Sequence, residues 1–525
     1  MSRCTTLFVA LCLLLNLAGC TAPVNSRAVS PAPSSAAQIA HVAAEATTFA
    51  DFDPSSACTS ELWPLINVYE TLTKYALPGS AAPLAPGLAT DWQVSEDGIT
   101  WTFHLREGVK FHGGADFDAT AVKFAVERTV GRGQCAAYLF DAVDAIETPD
   151  ARTVVFHLTY PAPLDAILAS PYGAWMMSPA VADKDAAWFA AGNGDGTGPY
   201  QFAQYAPGQR LVLSRFDDYW GGWEDGQFET LVFEALSEPV AAEQMLRAGE
   251  LDFASQIILA PEQMAALDAE PGLRLDVAPG VGNWVIMFNH RRAPTDDVRV
   301  RQALAYSFPY AAVVANTLLG KGSLAHGAVP TSVWGHAGVA RYAEDLDKAR
   351  ALLAEAGHAD GLEIAFSYDP TEATPAELWQ ANLAEIGVNL VLEPADFPVR
   401  WEAAKSAPDA APNAFMLAWS PDVVDPYSYL FNLFHTETVP LWNMGFYSDP
   451  AFDALIDAAR RQSATDQETA AIQYVAAQTL LDDDAAAIFA LDVPDLAVIA
   501  EDITGFVSNP AYPHLAVWYD LRRGE

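Results

Sequence analysis

PLAPGLATDWQVSEDGITWTFHLREGVKFHGG, residues 83–114, carries an alternating run on one side of Glu96-Asp97-Gly98 and an isolated tryptophan on the other. Alternation at period two sends every second side chain to one face of a strand. Thr100–Leu105 (TWTFHL) therefore reads as a strand with Trp101, Phe103 and Leu105 at core positions, and Trp92 joins them from across the turn. Gly98 can take the positive φ that such a turn requires. Further along, Thr153–Leu158 (TVVFHL) and Arg210–Leu213 (RLVL) read as strands. Ala119–Val130, Glu238–Ala248, Val298–Tyr306 and Asp345–Ala356 show the three- and four-residue apolar spacing of helices. Strands and helices interleaved along the whole length make this an α/β chain. The helix ends carry their usual markers: Asp116 or Asp118 before Ala119, Asp296 and Asp297 before Val298, Asp347 in a first turn and Gly357 after Ala356.

A chain of 525 residues exceeds the ~250 to 300 residues that one core supports, so two or three domains or lobes are expected. With 51% apolar and 18% charged residues, it is globular over most of its length. The 67 acidic and 28 basic residues leave a formal charge of −39, which excludes nucleic acid as a partner because no broad basic face can form. Such acidity serves a solvated surface or a field that attracts cationic ligands.

MSRCTTLFVALCLLLNLAGCTAP opens the chain. Arg3 gives a positive start, and the apolar run Leu7–Ala18 is shorter than the ~20 residues of a membrane-spanning helix, so residues 1–19 read as a signal peptide. Leu17-Ala18-Gly19-Cys20 resembles a bacterial lipoprotein signal, with Cys20 as the lipidated N-terminus. Residues 20–37, rich in Pro, Ser and Ala, read as a flexible tether. The remainder is expected outside the cytoplasm, periplasmic or at the cell surface, held to the membrane by that lipid. Cys58 and Cys135 are then the remaining thiols, either joined in a disulfide or buried free.

Enzymatic constellations are missing. The sequence has no His-Glu-x-x-His, no nucleophile elbow and no Gly-x4-Gly-Lys-Ser/Thr, and its ten histidines are dispersed. Gly192–Tyr200 (GNGDGTGPY) lacks the trailing lysine of a phosphate loop and reads as a turn-rich lead into a strand at Tyr200. No catalytic residue, metal ligand or cofactor is assigned, and a binding protein is favoured over an enzyme.

Eight segments in order carry a resemblance: residues 67–75 (NVYETLTKY), 83–114, 120–128 (TAVKFAVER), 196–221 (GTGPYQFAQYAPGQRLVLSRFDDYWG), 247–253 (RAGELDF), 296–308 (DDVRVRQALAYSF), 345–357 (DLDKARALLAEAG) and 417–434 (LAWSPDVVDPYSYLFNLF). Together they resemble the extracytoplasmic solute-binding proteins of the dipeptide, oligopeptide and nickel class, family 5, that serve ATP-binding cassette importers. The resemblance implies a periplasmic-binding-protein-like α/β fold with two hinged lobes and an accessory domain. Lobe I would comprise residues 38–68, 165–285 and 490–525, the accessory domain 69–164 and lobe II 286–489. Chain crossings would fall near Trp284–Phe288 and Phe489–Leu491. The implied partners are a small solute and a membrane permease, with the protein a monomer.

In peptide-binding members the segment resembling Trp419-Ser420-Pro421-Asp422 offers backbone groups to an extended ligand, and its aspartate receives the ligand's ammonium. A carboxylate in a dry cleft gives such an ammonium a charge-assisted hydrogen bond. Asp422 takes that place here, with Ala418, Trp419 and Ser420 beside it and Trp419 offering an apolar wall. Asp425-Pro426 reads as the start of the following turn or helix. Ser56, Ala57, Cys58 and Thr59 resemble the opposite lobe's backbone contribution, and Trp284 and Phe489 are further candidates near the crossings. Peptide-binding members commonly add an Arg or Lys for the peptide carboxylate, yet Asn413–Trp442 and Ser367–Trp379 contain neither. A ligand that supplies the positive charge itself, or carries none, fits that omission. The expected solute is peptide-like or amine-containing; an oligosaccharide stacked on tryptophan is the alternative, and a surface hydrolase a more distant one.

Overall fold

Two long strands, Leu273–Phe288 and Ala487–Ala500, run antiparallel through the middle of a ten-stranded sheet. On the Ala487–Ala500 side follow Phe253–Ser255, Ile39–Glu45, Thr230–Leu236, Arg210–Arg215 and Tyr200–Ala206; on the other come Ala414–Trp419, Leu362–Tyr368 and Val388–Pro394. This computed structural model describes residues 38–45, 49, 51–57, 61–80, 82–406, 409–437 and 441–524. The signal peptide, Cys20, the tether and Cys58 lie outside the described residues, and with Cys58 goes the question of its disulfide. All described residues fall in one unit.

Ala487–Ala500 is buried along nearly its whole length, as a strand covered on both faces must be. Its ladder with Leu273–Phe288 is interrupted: Ala278 pairs with Asp495, and pairing resumes at Gly282 with Val493. Gly280 sits in that gap, where a Cβ would lie 2.2 Å from the Val493 carbonyl oxygen. Only glycine lets the two backbones approach so closely.

The opening stretch folds as read. Thr100–Leu105 lies in a four-stranded antiparallel sheet in the order Ala89–Val94, Thr100–Leu105, Thr153–Leu158, Val143–Asp150, with Trp101 opposite Phe156. Trp101, Phe103 and Leu105 are buried, and Trp92 stacks on Phe103 at 6.4 Å. Each of these large side chains contributes roughly 1.5 to 3 kcal/mol by leaving water. Gly98 turns the chain at φ +73°. Asp118 caps the helix Ala119–Arg132 by accepting from the Thr120 and Ala121 N–H groups. Asp297 caps Val298–Ser307, and Asp345, two residues before Asp347, caps Leu346–Glu355. The glycine-rich loop leads into the strand Tyr200–Ala206. Its Gly196 is pressed against the Val68 carbonyl, where a Cβ would come within 2.2 Å, so backbone packing accounts for that glycine without a phosphate.

No helix among the described residues is long and apolar enough to cross a membrane.

Candidate functional site

The strand Ala414–Trp419 positions the site. Along one edge it pairs with Asn283–Phe288 over its full length; along the other only Ala414 and Phe415 find partners, in Phe366 and Ser367. Past Phe415 that second edge is free of strand partners among the described residues, and Arg400, from the helix Phe397–Ser406, donates through Nη1 to the Met416 carbonyl at 2.8 Å. Backbone polar groups alternate sides along a strand, so those of Ala418 point the same way as those of Met416. They meet a cavity of about 670 Å³.

Ala418, Trp419, Ser420 and Asp422 all line this cavity. Trp419 is 6% exposed and packs edge-on to Trp442 at 5.4 Å, while its Nε1 is buried without a hydrogen-bond partner among the described residues. It is a core side chain with one donor left over. Asp422 accepts a hydrogen bond from the Tyr138 hydroxyl, and its backbone carbonyl accepts from Ser170 Oγ at 2.6 Å. Burial pushes the Asp422 carboxyl up, and only the Tyr138 hydrogen bond opposes it; no described cation helps. Tyr75 Oη accepts from the Val424 N–H at 3.1 Å, so the 422–424 loop is held by three hydroxyls from the first third of the chain.

Asp425 is the N-cap of the helix Pro426–Phe434, accepting from the Tyr427 N–H at 2.9 Å. Burial raises it to about 6. It does not line this cavity. Nor do Trp284, which pairs with Ala418 from the neighbouring strand, or Phe489, buried against Phe434 at 6.0 Å. Ser56 bonds to Asp51 at 3.0 Å and Ala57 is buried, both within the turn that follows Asp53, likewise outside the cavity lining.

The reading from sequence missed the cavity's other half. Tyr138, Tyr172, Asp369, Glu372, Phe397, Arg400, Trp401 and Trp442 complete the wall. The cation missing from residues 367–379 and 413–442 is supplied by Arg400, which lies between those two stretches. Arg400 is 5% exposed, its guanidinium 4.8 Å above the Phe415 ring, and its Nε has no described partner. Burial pushes it down, with Glu372 and Asp369 pulling the other way. Burial likewise lifts Glu372, to about 7. Phe397, Trp401 and Trp442 form an aromatic wall with centroids 5.7 to 6.3 Å apart. Four aromatic residues in Phe397–Trp401 and Trp442–Phe446 were visible in the sequence, but nothing in their spacing joined them. No group of three or more His, Cys, Asp or Glu among the described residues could hold a metal ion.

The arrangement can bind an ammonium at Asp422, extended backbone along Ala418, an anion at Arg400 and apolar surface against the aromatic wall. Residues 83–440 match the family described as bacterial extracellular solute-binding proteins, family 5, middle. The dipeptide-binding protein of Escherichia coli K12 is 30% identical over 489 residues, covering 86% of this chain and 88% of that one. Among solved structures, the periplasmic binding protein DppA of Helicobacter pylori in complex with the peptide STSA superposes with a TM-score of 0.76 at 22% identity, over 93% of this chain and 98% of that one. The substrate-binding protein CtaP of Listeria monocytogenes gives 0.80 at 20% identity, over 93% and 100%. These two carry the fold, which is that of the periplasmic binding proteins.

Proposed function

Because the chain belongs to the family 5 bacterial extracellular solute-binding proteins, we propose that it is a lipid-anchored receptor that captures a peptide-like or amine-containing solute between two lobes and delivers it to the permease of an ATP-binding cassette importer. Cys20 carries the lipid, the tether spans residues 20–37, and the protein acts as a monomer. Lobe I comprises 38–68, 165–285 and 490–525, the accessory domain 69–164 and lobe II 286–489. The interrupted ladder at Ala278–Gly282 against Val493–Asp495 supports a hinge between two strands that can flex while the sheet on either side stays whole.

The observation that carries the ligand class is a single cavity holding a buried carboxyl and a buried guanidinium, neither of which forms an ion pair among the described residues. Each such charge is costly alone, by several kcal/mol for an unpaired buried ion. A peptide neutralises both, its ammonium at Asp422 and its carboxylate at Arg400, with its backbone on the free edge at Ala418. The E. coli relative is a dipeptide-binding protein and the H. pylori structure holds a peptide, which supports the same class.

Calorimetric titration with short peptides tests it. Asp422→Asn should weaken binding by more than about tenfold, and unchanged affinity would remove Asp422 from the site. Cys20→Ser should release the protein from membranes on fractionation; retention there would contradict the anchor.

A further inference from the structure

The charges that line the cavity do not balance: three acids, Asp369, Glu372 and Asp422, face one base, Arg400. Glu372 and Arg400 are 7% and 5% exposed and lie close enough for each to shift the other's ionisation, yet they form no ion pair with each other. Local turns use part of the acids. Glu372 Oε2 accepts from the Asp369 N–H at 3.3 Å, and Asp369 accepts from the Thr371 N–H and Oγ1 at 3.1 and 2.7 Å. Those turns leave Arg400 Nε and Trp419 Nε1 unexplained, two donors on residues more than nine-tenths buried, both lining the cavity and both without a described partner.

Arg400 and Asp422 have electrically distinct surroundings in this cavity. Arg400 responds to Glu372 and Asp369, whereas Asp422 responds to no described cation. A ligand carboxylate seated on Arg400 therefore has Glu372 and Asp369 as neighbours, and any side chain branching beside that carboxylate enters a negative region. The aromatic wall adjoins it: the Arg400 guanidinium lies 5.8 Å from the Phe397 ring, and Phe397 stacks on Trp401 and Trp442. One face of the Trp401 ring is taken by the chain's own Lys405, with Nζ 3.5 Å from the centroid, so a ligand cation has to end beyond that ring rather than on that face. Aromatic faces beside a carboxylate suit a long aliphatic stem that ends in a positive charge.

We propose that the preferred solutes are short peptides bearing a cationic side chain, of the lysine, ornithine or arginine kind, on the residue with the free carboxylate, that side chain passing along Phe397 and Trp401 to Glu372. This rests on the reading above that Asp422 and Arg400 take the two ends of a peptide. Two ligand cations and one ligand anion then meet Asp422, Glu372 and Arg400, reducing the excess of negative charge in the cavity to that of Asp369, which its own turn with Thr371 holds. Because burial holds the Glu372 carboxyl at about 7, the preference for a cation grows as it ionises, with Arg400 favouring its charge and Asp369 opposing it.

The full chain in detergent is titrated calorimetrically at pH 7.5 with Ala-Ala-Lys, Ala-Ala-norleucine, Ala-Ala-(Nε-acetyl)lysine, Ala-Ala-Ala and the corresponding dipeptides. The lysine peptide should bind at least about tenfold more tightly than its norleucine and acetyl-lysine counterparts, a comparison that needs no altered protein. Glu372→Gln should bring the lysine-to-norleucine ratio to within about threefold, and Glu372→Asp should restore part of it. The lysine advantage should also grow between pH 5.5 and 7.5 in the native chain and stay flat in Glu372→Gln. Equal or weaker binding of the lysine peptides overturns this inference and leaves the peptide reading standing. Failure of every peptide to bind, Ala-Ala-Ala included, overturns the peptide reading and this inference with it.

Discussion

Replacing Arg400 by methionine separates what this side chain does for the fold from what it does for a ligand. Among the described residues its side chain makes one hydrogen bond, to the Met416 carbonyl at 2.8 Å, and lies 4.8 Å from the Phe415 ring. Losing the bond leaves a buried carbonyl short of a donor, at about 1 to 3 kcal/mol, and losing the ring contact costs about 0.5 to 2 kcal/mol. Against this, the change removes a charge that is 5% exposed and has no ion-pair partner among the described residues, relieving a desolvation penalty of several kcal/mol. The terms are of similar size and opposite sign, so the melting temperature should move by only a few degrees. Binding has no such offset. A hydrogen bond to a charged group contributes about 1.5 to 3 kcal/mol, so peptides with a free carboxylate should lose roughly 10- to 150-fold in affinity. The assay is a double cycle by calorimetry, native and Arg400→Met against a peptide and its C-terminal amide. The native chain should prefer the acid, and the variant should bind both alike. If acid and amide lose the same affinity in Arg400→Met, the carboxylate does not sit on Arg400 and the reasoning fails.

Two further outcomes follow from the fold. Burial raises Asp425 to about 6, above its ordinary value near ~3.9, so the folded chain holds an extra proton between those values; its contribution is present at low pH and lost as the pH rises through 6. Asp425→Asn keeps an N-cap and removes the titration, so urea midpoints should improve relative to the native chain between pH 4.5 and 7.5, by up to about 3 kcal/mol; parallel pH profiles would contradict this. Gly280→Ala puts a Cβ 2.2 Å from the Val493 carbonyl, and thermal melts should show a loss of about 1 to 3 kcal/mol, an unchanged midpoint counting against the close approach.

Local chemistry made the fold legible. Thr100–Leu105 and Thr153–Leu158 have the same limits in sequence and structure, because an uninterrupted alternation of large side chains leaves one face to bury. Asp118 and Asp297 mark helix starts because a short carboxylate bonds nearby N–H groups wherever it stands. The interrupted ladder was less visible, since Pro279-Gly280 and Val493-Pro494 look like any loop until the two strands are paired. In the site, Ala418 to Asp422 share one strand and one loop, so a motif could find them. Arg400, Glu372 and the Phe397–Trp401–Trp442 wall come from separate elements. Only tertiary packing brings them to the free edge of Ala414–Trp419, and a lone arginine in FPVRWEAAK reads as an ordinary helix residue until its guanidinium is found on the Met416 carbonyl.

The central claim, that the cavity at Asp422 receives the ammonium of a peptide-like solute, is tested most directly by leaving the protein untouched and blocking the ligand. Calorimetric titration of the native chain with a short peptide and with its Nα-acetylated form removes the ammonium alone. The account predicts that acetylation weakens binding by more than about tenfold. Equal affinity for the two forms would contradict it.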